Sequence, residues 1–329
     1  LYLKRLYALF KVISTDPFKT IESCSMKFRV LLVLTLFLAS CAPLPSVKAD
    51  GYVDLTNRQP LPTPANSQTA PLRVAVAAVI SPQGTIESYT ALLEYLGRKL
   101  QRPIELVQRR TYLEVNDLVQ KGEVDVAFVC TSAYVAGHDL FGMQLLAAPQ
   151  VEGETVYYSL LIVPASSTAQ SMADLKDKVF AFTDPISLSG RMYPTSLVQQ
   201  LGSTPESFFS RTFFTYSHDD AIQAVANRVA DGAAVDSLVY EFAIARNPSL
   251  AEKVRVIHRS PPFGIPPVVV GPSIRPQLMS DLQVSLLELH QDPEGRDALR
   301  AIGIDRFVLI DDNAYTDVRT LLSNVNATR

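Results

Sequence analysis

The chain has 329 residues, 47% of them hydrophobic, and a formal net charge of −3. Beyond residue 40 it carries 24 Lys/Arg against 31 Asp/Glu, a net of −7, which argues against nucleic acid as a partner. Three cysteines, four scattered histidines and no HExxH, CxxC or Walker A spacing point to neither a metal nor a cofactor.

In chain order, the first readable element is an export signal. Met26-Lys27-Phe28-Arg29 supplies a start and two positive charges, and residues 30–39 form an apolar run broken only by Thr35. That run is too short to span a bilayer and has the length of a signal h-region. It ends in Leu38-Ala39-Ser40-Cys41, which resembles the bacterial lipoprotein box and implies removal of residues 26–40 and lipidation of Cys41. The alternative is a plain secretory signal cleaved nearby. Residues 1–25 precede this start, contain no convincing element and are expected to be a non-native extension. Residues 41–71, rich in Pro, Ser, Thr, Asn and Gln without apolar period, read as a disordered tether. With Cys24 ahead of the signal and Cys41 at its end, Cys130 is left alone, so no internal disulfide is expected.

From Leu72 onward strands and helices alternate. Strands are predicted at residues 72–79, 104–107, 124–129 and 144–148, with helices at 86–100, 113–121 and 133–140 between them. A long strand at 157–163 starts a second set. Its strands fall at 179–182, 212–215, 232–235 and 254–258, and its helices at 192–201, 219–227 and 237–247. A strand at 266–270 and helices at 277–290 and 293–301 follow, with Gly303 as a C-cap. The pattern predicts two α/β lobes with parallel sheets, lobe 1 from 72–162 plus 267–329 and lobe 2 from 163–266, joined by two crossover strands. Ligands in open α/β sheets bind beyond strand C-termini, which here places the site between the lobes.

The most informative stretch is residues 182–194, FTDPISLSGRMYP. It reads as a strand end, an Asp-Pro turn, hydroxyls at Ser187 and Ser189, Gly190 and a helix start. The amides of a first helical turn lack intrahelical partners and carry partial positive charge, so a small anion can be held there without a metal or lysine. An ordinary Ser N-cap fits the segment equally well. Asp236 reads either as a ligand group that accepts from a protonated anion or as the cap of the helix beginning at Ser237. Cys130, just after a strand, reads as a small buried residue or as a cleft thiol. Ser189, His218 and Asp236 form a nominal Ser-His-Asp set, but their order does not fit a nucleophile elbow and GxSxG is absent, so an enzyme is not expected.

Several of these segments together resemble the phosphonate/phosphite/phosphate-type solute-binding proteins of ABC transporters, which have the two-lobed type II periplasmic binding protein fold. Residues 124–128 (VDVAF), 174–178 (DLKDK), 184–190 (DPISLSG), Ser217-His218-Asp219 with Ala224-Val225, and Pro266-Pro267-Val268 carry the resemblance in order, over residues 72–322. It implies that Ser187 and Ser189 clamp anion oxygens with the amides of Ser189 and Gly190, that His218 donates a further hydrogen bond, and that Tyr112 and Tyr157 line the cleft. Leu188 stands where the family often has Thr, which removes one donor. Leu238 and Ile265 stand where members that take aminoalkylphosphonates have carboxylates, so phosphate, phosphite or a small phosphonate is expected rather than an amine-bearing ligand. The resemblance further implies a monomer on the extracytoplasmic face of a bacterial membrane, lipid-anchored, that delivers its ligand to an ABC permease. The alternative is a sensing partner of a histidine kinase, with arsenite at Cys130 as a minority ligand by similarity to arsenite-sensing relatives.

Overall fold

A run such as LRVAV, apolar except for Arg73, buries both faces of most of its length, and Leu72–Val76 (β1) accordingly lies inside a sheet. The computed structural model describes residues 70–327, so the expectations for residues 1–25, the signal at 26–40, Cys41 and nearly all of the tether at 41–71 lie outside the described residues. β1 pairs in parallel with Ile104–Gln108 (β2) and Val126–Phe128 (β3). The helices between them are capped as their sequences dictate. Pro82–Lys99 (α1) starts at Ser81, whose Oγ accepts from Gly84 N–H, four residues earlier than periodicity alone placed it. Tyr112–Lys121 (α2) opens on a Thr111/Glu114 capping box and closes on Gly122 at φ +67°. Thr131–Phe141 (α3) and Gln144–Gln150 (β4) follow, and the chain leaves this lobe through Val156–Tyr157 (β5).

The second lobe is built on Ser159–Pro164 (β6), Val179–Phe182 (β7), Arg211–Phe214 (β8), Gly232–Asp236 (β9) and Val254–Arg259 (β10). Tyr193–Gln200 (α4), His218–Ala226 (α5) and Ser237–Arg246 (α6) connect them. The strand order is β10-β6-β9-β7-β8. β7 runs parallel to β8 and β9, while β6 runs antiparallel to β9 and β10. β6 is paired into this sheet from Ser159 onward, so the chain has changed lobe before the expected boundary at residue 162.

The chain returns through Phe263–Gly264 (β11), which pairs with β5 as a two-stranded ribbon between the lobes. Val268–Val270 (β12) then inserts antiparallel between β3 and β4, and Arg306–Val308 (β13) covers the edge of β4. Both sheets are therefore mixed, not parallel as predicted. A strand that re-enters directly from the other lobe has no crossover helix to reverse it, so it must run antiparallel. Pro276–Leu287 (α7) and Pro293–Ile302 (α8) pack on the first lobe, and Gly303 at φ +73° is the C-cap of α8, as expected. Thr316–Ala327 (α9), which the pattern did not announce, packs on both α3 and α4, with Gln199 Nε2 donating to the Val325 carbonyl at 3.0 Å. Among the described residues, no helix is long and apolar enough to cross a membrane.

The ribbon leaves no room for a side chain at Gly264: a Cβ there would lie 2.6 Å from the Ala314 carbonyl oxygen and 3.0 Å from the Tyr315 ring. Gly264→Ala is expected to lower urea stability by about 1–3 kcal/mol. An unchanged midpoint would show that the inter-lobe ribbon relaxes freely.

Candidate functional site

The loop after β7 is held by bonds that use up its backbone and present its hydroxyls. Asp184 is buried and bridges: Oδ1 accepts from Ile186 N–H at 2.9 Å, and Oδ2 accepts from Tyr112 N–H of the first lobe at 3.0 Å. Residues Leu188–Met192 form a π-helical turn, with the Ser187 carbonyl accepting from the amides of both Arg191 and Met192. Ser187 Oγ accepts from Gly190 N–H at 3.1 Å, and Ser159 Oγ donates to the Ser189 carbonyl at 2.7 Å. Gly190 packs against Thr183 so closely that a Cβ would sit 1.8 Å from Thr183 Oγ1. Gly190 N–H was expected to hold the anion; it is engaged by Ser187 instead, which turns the Ser187 hydroxyl into the donor.

Six buried side-chain polar atoms among the described residues have no hydrogen-bond partner, and four of them are in or against this loop: the hydroxyls of Tyr112, Tyr157, Thr183 and Ser189. Four in one place require an explanation beyond ordinary packing. Tyr157 Oη lies near the Ser189 and Thr131 hydroxyls without hydrogen-bond geometry to either. Burial first, then the proximity of Cys130 and Asp236, holds both the Tyr112 and Tyr157 phenols well above their usual range, so they remain O–H donors.

The other expected residues border this cluster. Asp236 ends β9 and caps α6, with Oδ1 accepting from Leu238 N–H at 2.8 Å and Val239 N–H at 3.4 Å. Burial pushes its carboxyl up to about 7 against the pull of those amides, with Glu241 adding to the rise. His218 Nδ1 accepts from Asp236 N–H at 3.0 Å, which leaves the proton on Nε2, and burial pushes the ring down to about 3. The imidazole is thus a neutral donor. No catalytic relay is present in this arrangement: His218 Nδ1 faces a backbone amide, not the Asp236 carboxylate. Cys130 is buried with Sγ 3.6 Å from Ser132 Oγ, and burial raises its thiol, opposed by the Leu188 amide and Ser132. Leu188 and Ile265 are fully buried, and Leu238 packs against the same apolar cluster.

The lobes meet around this loop. Ser132 Oγ donates to the Ile186 carbonyl, His218 N–H donates to the Val79 carbonyl at 2.9 Å, and Ser81 N–H donates to Asp219 Oδ1 at 2.8 Å. Arg110 stacks on Tyr216 at 3.9 Å, while Arg191 stacks on Phe182 at 4.1 Å and pairs with Glu206 at 3.2 Å. Sequence reasoning reached Thr131 and Ser132 only as residues just beyond a strand, and Thr183 and Asp184 only as part of the 182–194 stretch; it missed Ser159.

Two mixed α/β lobes joined by a ribbon, with buried donors gathered between them, define a solute-binding protein of the type II periplasmic class. The family described as "ABC transporter, phosphonate, periplasmic substrate-binding protein" matches residues 74–315, and the chain belongs to it. The phosphonates-binding periplasmic protein of Escherichia coli is 23% identical over 265 residues, 79% of this chain and 78% of that one. The phosphate-import protein PhnD of Mycolicibacterium smegmatis is 29% identical over 184 residues, 53% of this chain and 57% of its own length. In fold, the crystal structure of a binding protein component of an ABC phosphonate transporter from Pseudomonas aeruginosa superposes with a TM-score of 0.74 at 22% identity, over 79% of this chain and 87% of that one.

The two shifted groups make opposite contributions to stability. The Asp236 pKa is raised on folding, so its contribution is full below about 4 and is lost as pH rises through about 7. The His218 pKa is depressed, so its contribution is present above about 6.5 and is lost as pH falls towards about 3. Between about pH 4.5 and 6.5 they offset each other. Asp236→Asn is therefore expected to make urea stability rise across that window by about 2 kcal/mol more than in the wild type. An unchanged slope would contradict the assigned protonation states.

Proposed function

We propose that the cleft captures a small tetrahedral oxyanion (phosphate, phosphite or a small phosphonate) for delivery to an ABC permease. The observation that carries this reading is the set of buried hydroxyls without protein acceptors, drawn from both sides of the cleft. An oxyanion offers several acceptors at once, and Ser187, Ser189, Tyr112 and Tyr157 supply neutral donors. The neutral His218 adds Nε2–H beside them. Asp236, with its carboxyl pushed up to about 7, accepts from a protonated anion or donates once it is itself protonated. Gly190 shapes the loop, and Cys130 and Leu188 close it with apolar bulk.

Ligand oxygens held by donors of both lobes stabilise the form in which the lobes meet, and that form presents one surface to the permease. The protein works as a monomer, anchored through a lipid at Cys41 with residues 41–71 as its tether, and lobe 2 (163–266, extended forward to Ser159) turns on the ribbon against lobe 1 (72–158 with 267–327). Leu238 and Ile265, which place no carboxylate beside the hydroxyls, favour an anion without an amine.

Removing an unpartnered hydroxyl has two opposite effects. In the free protein Ser189→Ala and Tyr157→Phe leave stability unchanged or raise it, because an unpaired buried group costs about 1–3 kcal/mol. In titration calorimetry with phosphate, phosphite and methylphosphonate, each variant is expected to bind about tenfold or more weakly than wild type. Full affinity in both variants, or no heat with any of these anions, would overturn the proposal.

A further inference from the structure

The lobes also meet through a loop other than the one that carries the hydroxyls. Residues 215–217 join β8 to α5, and this loop and the first turn of α5 reach across to the first lobe at three positions. The Tyr216 ring stacks with the Arg110 guanidinium at 3.9 Å. His218 N–H donates to the Val79 carbonyl at 2.9 Å, and Asp219 Oδ1 accepts from Ser81 N–H at 2.8 Å. Val79, Ser81 and Arg110 follow the ends of β1 and β2, so the contacts join strand ends of one lobe to a strand end of the other. None of them uses the unpartnered hydroxyls of Tyr112, Tyr157, Thr183 and Ser189.

Two of these residues are placed at a cost or with a charge. Tyr216 has φ +63°, a conformation unfavourable for a bulky side chain, and it is the one aromatic among the described residues in that region. The turn is held there by Tyr216 N–H, which donates to the Thr183 carbonyl at 2.8 Å, and by Thr215 Oγ1, which donates to the Ser217 carbonyl at 2.7 Å. Asp219 lies in the first turn of α5, and the amide it accepts from belongs to the residue that caps α1. One carboxylate thereby meets the partial positive charge of two helix starts, one in each lobe, through a charge-assisted bond.

We propose that the β8–α5 loop is a latch that holds the lobes together before any ligand is bound, with Tyr216 and Asp219 as its positioning residues. Every contact in it is made by the chain itself, so the meeting form is favoured whatever occupies the cleft. The inference is thus independent of the ligand's identity. Its consequence for capture is that a larger fraction of free protein is already competent to bind, and apparent affinity rises with that fraction. The latch and the site move as one, because His218 belongs to both: its amide holds the first lobe while its ring stands beside the hydroxyl cluster.

The test is amide hydrogen exchange of the ligand-free protein, read at Tyr112. As the first residue of α2 its N–H has no intrahelical partner, and its acceptor is Asp184 of the second lobe, so it is released when the lobes part. Neither Tyr216 nor Asp219 contributes to that bond. In the wild type Tyr112 N–H is expected to be protected without ligand. Asp219→Ala is expected to speed its exchange about tenfold or more, and Tyr216→Gly about two- to fivefold, while amides of the central strands β1 and β9 keep their rates. Glycine adopts the positive φ freely, so Tyr216→Gly is expected to leave the urea midpoint unchanged or raise it even as Tyr112 exchanges faster. Unprotected exchange of Tyr112 in the free wild type would overturn the latch. So would an unchanged Tyr112 rate in both variants, or strand amides accelerated in both as much as Tyr112, which is what a purely stabilising loop would give.

Discussion

The structure turns on a set of hydroxyls that are buried but left without acceptors. Burying a polar group unpaired is unfavourable, and the loop after β7 does so repeatedly, in contact with tyrosines from across the lobes. It tolerates this because its backbone is otherwise well tied. Asp184 pins it to the Tyr112 amide, Ser159 holds the Ser189 carbonyl, and Ser187 takes the Gly190 amide. On the proposed reading, the donors are therefore held in place before any ligand arrives, and the ordering cost that a flexible loop would incur on binding is already met in the fold.

The electrostatics match that design. The cations nearest in sequence are committed elsewhere: Arg191 to Phe182 and Glu206, Arg110 to Tyr216. What faces the cluster is neutral or poised: phenols raised by burial, an imidazole that stays uncharged above about pH 3, and a carboxyl that titrates at about 7. A site of this kind discriminates by the number and direction of hydrogen bonds, since a competitor that leaves a donor unpaired forfeits the pairing free energy. On the proposed reading, the chain's net negative charge is compatible with anion capture, because the attraction would be short-range and local.

Much of this was legible in the sequence because its signals are local. The DPISLSG run announced the loop, and alternating apolar segments announced two α/β lobes. What was not legible depends on pairing across large separations. The antiparallel entry of β12 between β3 and β4 follows from the chain's return path, and no residue in VVV encodes it. Ser159 meets Ser189 only because β6 lies beside β9, and Asp184 meets Tyr112 only because the lobes touch. The occupied Gly190 amide was missed for a different reason: a serine three residues upstream of a glycine reads the same whether its oxygen caps the turn or faces a ligand, and here the oxygen caps while the hydrogen remains available.

The most direct test of the central claim is a crystal structure grown with methylphosphonate. The account predicts phosphonate oxygens within about 3 Å of Ser189 Oγ and of the Tyr112 and Tyr157 hydroxyls. A phosphonate bound elsewhere, with those three hydroxyls still lacking acceptors, would contradict it.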